Sequence, residues 1–480
     1  MKNFFIILSF LLLSLSSMAT TYTYGVHSGS ANITGTSPFT LANGDNVVIT
    51  GNFSDVTISN VNLVNVTFNM TGATLTHLKS SSLDQVQWNN LSGVTFLGLS
   101  ITNEWYGEIF LGPFFHDNKF LNCHFVNTTT FSDEVIFDFD WPYTSDMVFT
   151  GSKSQTYYND SLVGCKFGGF INTEIITMST NWNTGTSPAE INRSLALDMY
   201  LSKDTFSVDN TTGNTVSALS GTGFNMKIDS CIFDAISGLT SGHGSHNEAV
   251  LWYGSIQVTN SFQNNSYASL LRCYPTAWSG LAGYRTGVFC KAYNNLIKHQ
   301  LSYSAFEFNA GIGGNRNNSN GFWDCRSEAI HNTVDSTTGL SYNGPTRYEG
   351  KVVDFVVIDT GVVEGNVIFR AEQDYASVPY NTDSASHNGY FYSEIGAPVT
   401  HLTARNNFSA RNSTGYVVDS INYKPSAGSP IIGSVTSYSY YTQDHFGVLI
   451  TTEKGWAAYT SPSIIYSRQM IIKRKTIRIH

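Results

Sequence analysis

The densest set of groups able to move protons or grip a charged ligand is Ser241-Gly242-His243-Gly244-Ser245-His246-Asn247-Glu248, which runs on into Trp252-Tyr253. His246 and Glu248 suit general acid–base work, and the glycines let a backbone approach closely. Trp252 and Tyr253 add flat faces on which a sugar ring can stack. A turn with structural histidines accounts for the same residues equally well. Charge gathers again at Arg347, Glu349, Lys351, Asp354, Arg370, Glu372 and Asp374. Lys351 and Arg370 are the cations of interest here, with Arg285 a further one; a solvated, salt-bridged loop is the alternative.

Glutamates stand immediately before apolar, strand-like runs at Glu108, Glu134, Glu174 and Glu248, and Arg285, Lys351 and His387 hold similar entry positions further on. Stacked on one face, they would form a groove with acidic and basic ends. Carboxylates one strand apart repel unless a cation lies between them. Glu134, Asp138 and Glu174, with Asp133 and Asp140 nearby, are the candidate ligands for Ca2+, which takes several oxygen donors. Glutamates that merely begin strands and point into water are the plain alternative.

Positioning such residues requires a scaffold, and a repeated phrase supplies one. A short alternating strand, then Asn or a small residue, then a large apolar one recurs at Leu63–Phe68, Leu121–Phe125, Ile228–Phe233, Val258–Phe262, Val363–Phe369 and Ala404–Phe408. Period-2 alternation puts the large side chains on one side of each strand, and units with one apolar face bury it only by stacking. The irregular period excludes a strict hexapeptide helix, and a propeller would carry a tryptophan-aspartate signature. The fold expected is all-β: a single-stranded right-handed parallel β-helix with terminal caps. On the order of 13 coils would stack to ~60 Å. Phe68, Phe125, Phe167, Phe233, Phe262, Phe369 and Phe408 are expected in one continuous core.

Composition agrees. Only 13% of residues are charged, which excludes a coiled coil, and 41% are hydrophobic, which excludes disorder. A basic start, an apolar run from Phe4 to Leu15 and Ser17-Met18-Ala19 have the form of a signal peptide, predicting a secreted chain that starts near Thr20. That run is too short to span a bilayer, so no transmembrane segment is expected. A net charge of −9 argues against nucleic acid as a partner. Asn-x-Ser/Thr sequons, Asn65 among them, are glycan sites in a eukaryote and a by-product of composition in a bacterium, the reading preferred. The six cysteines are too few and too scattered for a disulfide framework. Cys123, Cys165 and Cys231 each precede a phenylalanine by two residues and read as free, buried side chains.

The repeated phrases, with Ser426–Gly433, Asp444-His445-Phe446-Gly447 and Gly455-Trp456-Ala457-Ala458-Tyr459, resemble the secreted β-helix proteins of the pectate-lyase-like superfamily. In that group a Gly-Ser-Pro segment, an Asp-x-x-Gly turn and a Gly-Ala-Tyr ending close the last coils. The resemblance implies residues 1–19 as signal peptide, 20–45 as N-terminal cap, 46–435 as β-helix and 436–480 as C-terminal cap and basic tail. It also implies an acidic polysaccharide as partner, and a monomer. Its members include lyases, hydrolases and non-catalytic adhesins, so cleavage of a uronic-acid glycan and simple glycan binding both stay open. In lyases of this kind a Lys or Arg takes the C5 proton of a uronate while a cation neutralises the carboxylate. The sites this implies are His246, Glu248, Arg285 and Lys351 for catalysis and Trp252, Tyr253 and Arg370 for substrate. Gly242-His243-Gly244 resembles the histidine motif of polygalacturonase-type hydrolases, but Asn381-Thr382-Asp383 follows it instead of preceding it, so that mechanism is not carried over.

Overall fold

A computed structural model describes residues 21–24, 29–34, 44–59, 62–79, 86–102, 109–126, 137–138, 157–171, 175–178, 196–209, 216–237, 247–264, 269–274, 288–298, 305–309, 325–335, 353–356, 360–369, 391–393, 401–405, 408–410, 414–418 and 423–432. Among them every regular element is a β-strand, and the strands pair in parallel with their counterparts one coil away. One sheet has 13 strands in strict chain order, from Gly29–Thr34 to Phe408–Ala410. Each strand belongs to one coil, and the coils are numbered 1 to 13 along it. The chain is a parallel β-helix.

The remaining strands form a continuous 24-stranded sheet that bends into two faces. The first face holds Leu271–Tyr274, Phe306–Asn309 and Val353–Val356; the second holds Lys119–Leu121, Ser161–Val163 and Tyr200–Ser202. Strands Val216–Asp229 and Asn247–Thr259 run across the bend. There Gly254 adopts φ +117, and a Cβ on it would lie 2.0 Å from the Gly223 carbonyl oxygen, so only glycine fits. The 13-stranded sheet is the third face.

A single left-handed residue turns the chain from the second face to the third: Asn122, Gly164, Lys203, Ser230, Asn260, Asn294, His331 and Gly365, all with φ between 51 and 70. The residue after it points inward, giving the buried column Cys123, Cys165, Asp204, Cys231, Ser261, Asn295, Asn332 and Asn366. At the corner the N–H groups of Cys165, Cys231, Ser261, Asn295 and Asn332 are each accepted by a side chain of the next coil. Asn295 N donates to Asn332 Oδ1 at 2.9 Å, and Asn332 N to Asn366 Oδ1 at 2.8 Å. The amide nitrogens of the same asparagines donate back to carbonyls, as Asn332 Nδ2 does to Ala292 O at 2.9 Å. The buried amides of this asparagine run are thereby satisfied.

Three residues after the corner the side chain again points inward. Phe125, Phe167, Phe206 and Phe233 occupy this position and stack with centroids 5.1, 4.9 and 5.3 Å apart. Phe68, Phe96 and Phe120 form a second stack, on the second face. The expectation of one continuous phenylalanine core needs correction. Phe262 aligns with Ile232, on the outside, and the buried Gln263 takes the inward place. Phe369 joins Leu296, Val367, Tyr423 and Ile431 in a separate apolar cluster, against which Phe262 and Phe408 are half-buried.

Ile431, from the segment resembling a closing motif, and Tyr423, just before it, therefore pack against the outer side of the third face. At the other end Thr21–Tyr24 and Gly29–Thr34 already pair in register with coil 2, so stacking begins within the segment expected as a cap. Cys123, Cys165 and Cys231 are free and buried, as expected, while Cys273 and Cys290 form a disulfide the cysteine pattern did not suggest. Among the described residues no helix is long and apolar enough to cross a membrane.

Candidate functional site

A second left-handed corner, between the first and second faces, recurs at Asn65, Gly93, Asp117, Asn159, Asp198 and Asn225 in coils 3 to 8. Two residues later the side chain faces outward from the second face: Thr67, Thr95, Lys119, Ser161, Tyr200 and Lys227, in continuous register. The residue between them is inward and buried: Val66, Val94, Asn118, Asp160, Met199 and Met226. Each coil thus contributes a tripeptide whose two ends form parallel outward columns. Between the columns runs a lateral groove of about 1020 Å³, lined by Asn65, Asp117, Lys119, Asn159, Tyr200 and Lys227 among others.

The corner column is a ladder of side-chain hydrogen bonds. Asn159 Nδ2 donates to Asp117 Oδ1 at 2.6 Å and Asn225 Nδ2 to Asp198 Oδ1 at 2.7 Å. Asp117 Oδ2 also meets His116 Nδ1 at 2.8 Å. These bonds fix the carboxylates as acceptors facing the groove, suited to hydroxyl donors. The strand column supplies the cations Lys119 and Lys227, which make no ion pair among the described residues, and the 38%-exposed ring of Tyr200. Hydroxyl acceptors, ammonium groups and an aromatic face are what a charged sugar chain needs.

Carboxyls under the groove behave differently. Burial pushes Asp160 well above the usual carboxylate range, although Asn118 donates to its Oδ1 from N at 2.7 Å and from Nδ2 at 3.0 Å. Burial likewise pushes Asp204 up to about 7, against the Cys165 N–H that it accepts at 2.6 Å. The Oδ2 atoms of both are buried without a hydrogen-bond partner. Asp204 sits in the column at the corner to the third face, whereas Asp160, almost fully buried, lies among the residues lining the groove. The Cys231 thiol is raised by burial, and that of Cys165 by its contact with Cys123 and by burial, so neither is poised as a nucleophile.

Of the residues proposed from the sequence for catalysis, Glu248 is the one that falls among the described residues. It is 3% exposed and does not point into water. Arg272 of the next coil donates from Nη1 to its Oε1 at 2.8 Å, and Arg272 Nε lies 3.1 Å from Glu307 Oε1 in the coil after. One guanidinium thus neutralises carboxylates from the coils on either side. Arg272 and Glu307 were not singled out in the sequence, because each is a lone charge between apolar residues, in Leu271-Arg272-Cys273 and Phe306-Glu307-Phe308.

Trp252 and Tyr253 need correction as sugar platforms. Trp252 is fully buried with Nε1 donating to Gly223 O at 3.3 Å, and the 7%-exposed Tyr253 packs with Leu251. Asp138 lies in strand Phe137–Asp138 on the first face, aligned with Phe110 and Thr177. His246, Arg285, Lys351, Arg370, Glu134 and Glu174 lie outside the described residues, as do Asp133 and Asp140. Among the described residues no group of three or more His, Cys, Asp or Glu could hold a metal ion. No protein-family model and no curated protein matches this chain, so its function is argued from geometry.

Proposed function

We propose that the protein is a secreted β-helix, allied to the pectate-lyase-like solenoids it resembles, that engages acidic polysaccharide along its side. The observation that carries this reading is the groove of about 1020 Å³ over coils 3 to 8, with its hydroxyl-accepting ladder, two exposed lysines and exposed tyrosine. Cleavage is assigned to the middle coils, where Glu248 is held by Arg272 and where His246 and Lys351 occur in the sequence next to first-face strands and Arg285 shortly before the second-face strand Val288–Tyr293. Arg370 is the proposed substrate clamp, and Ca2+ at Glu134, Asp138 and Glu174 stays a proposal of the same kind.

A non-catalytic, adhesin-like reading has its own support: the carboxylates on the corner column, Asp117 and Asp198, are tied as hydrogen-bond acceptors to Asn159 and Asn225, an arrangement that binds hydroxyls. The test is incubation with a panel of uronic-acid polysaccharides, following binding by calorimetry and cleavage by both unsaturated-product absorbance and reducing ends. Binding with product supports the enzyme, and binding without product supports the adhesin. Absence of binding to every member sinks the proposal.

A further inference from the structure

Lys119, Ser161, Tyr200 and Lys227 occupy one outward column in unbroken register across coils 5 to 8. The two lysines are therefore three coils apart, about 14 Å at the usual ~4.8 Å spacing of strands. An extended glycan advances by close to one strand spacing per sugar, so a chain lying along the solenoid axis meets roughly one coil with each residue. We infer that Lys119 and Lys227 determine specificity, selecting a glycan with a carboxylate on every sugar and a screw that returns that carboxylate to the same edge after three sugars. The inference rests on the glycan reading above and adds to it the charge period of the ligand.

Parity makes the selection. In a copolymer of alternating uronate and neutral sugars, residues three apart are always of opposite kind, so a chain that engages one lysine offers the other a neutral sugar. In a fully charged twofold ribbon, residues three apart are related by an odd number of flips and turn their carboxylates to opposite edges. A fully charged threefold chain satisfies both lysines at once. Its opposite edge then lies along the corner column, where Asp117 and Asp198 accept from asparagines and can accept from sugar hydroxyls too. A carboxylate edge on that side would meet the two aspartates, which fixes which edge faces the lysines. Tyr200, between the lysines, stacks on a ring whatever the charge pattern.

The test uses the full chain with Lys119→Met, Lys227→Met, the double variant and Tyr200→Ala. The probes are polygalacturonate oligomers (threefold, fully charged), polymannuronate oligomers (twofold, fully charged) and hyaluronan oligomers (alternating), all at low ionic strength. Both lysines are exposed, so each variant is expected to keep the wild-type circular dichroism and unfolding midpoint. On polygalacturonate each lysine variant should lose about fivefold in affinity and the double variant about 25-fold, the yield of two independent exposed ion pairs. On the other two probes each single variant should change affinity less than about twofold, because the chain shifts to the remaining lysine, and only the double variant should lose the charge contribution. Tyr200→Ala should weaken all three probes alike. Equal wild-type affinity for polygalacturonate and hyaluronan, or redundant lysines on polygalacturonate, overturns the charge period while leaving glycan binding intact. Failure of every probe to bind the wild type overturns the glycan reading itself.

Discussion

Asp204→Asn should stabilise the protein and flatten its response to pH. Asp204 occupies an inward position that coils 10 to 12 give to asparagine, and its Oδ2 is buried without a partner. Burial raises its pKa from 3.8 to about 7, so the folded state holds the proton more tightly than the unfolded chain. Stability is then greatest below about pH 4, falls as pH rises toward 7 and is level beyond, where both states are ionised. At about 1.4 kcal/mol per pKa unit, the wild type loses about 4 kcal/mol over that window. An asparagine keeps the Oδ1 acceptor for Cys165 N and adds a nitrogen donor, as Asn295 does to Val258 O at 3.0 Å. Denaturant midpoints of both proteins from pH 4 to 8 are the assay, and the variant-minus-wild-type difference isolates Asp204 from Asp160, which titrates in the same direction. Parallel pH profiles for the two proteins would refute the reasoning.

Arg272→Met should cost about 3–5 kcal/mol, because it leaves Glu248 and Glu307 buried without their cation. Denaturant unfolding measures this, and an unchanged midpoint would remove the ion cluster's structural role; glycan affinity in the groove, on another face, should stay at the wild-type value. Asn332→Ala deprives the buried Asn295 N–H and Ala292 carbonyl of their partners, for a loss of about 2–4 kcal/mol, with faster amide exchange at Asn295 as the local readout. Wild-type exchange at that amide would contradict the ladder.

The β-helix was legible because its corners leave a trace in sequence: a left-handed residue, an inward small residue, and an inward phenylalanine three positions after the corner. Asn122-Cys123-His124-Phe125 and Ser230-Cys231-Ile232-Phe233 keep that count. Asn260-Ser261-Phe262 is one residue short of it, and in Gly365-Asn366-Val367-Ile368-Phe369 the ring comes one residue late, so strand alternation turns both phenylalanines outward. Similar words with a shifted count were read as equivalents. The groove was illegible for a related reason. Its tripeptides, Asn65-Val66-Thr67 through Asn225-Met226-Lys227, have a variable buried centre, and their polar ends align only once the unequal connections between coils are set aside. Around Glu248 the sequence located the charge but not its partners, since Arg272 and Glu307 come within reach only through parallel pairing of strands that are distant in the chain.

Coils that meet their neighbours through repeated strand pairing, stacked core side chains and corner ladders can be duplicated or lost whole, with both corners intact. For this chain such an event is not neutral in length alone. Removing coil 6 or coil 7 would bring Lys119 and Lys227 to an even separation, matching twofold and alternating chains in place of threefold ones, with no point mutation in the groove. Insertion of one coil between them would do the same at a longer reach. If the proposed glycan selection holds, descendants of this solenoid change ligand preference through a single unit-length rearrangement, and coil count between the two lysines becomes an inherited trait.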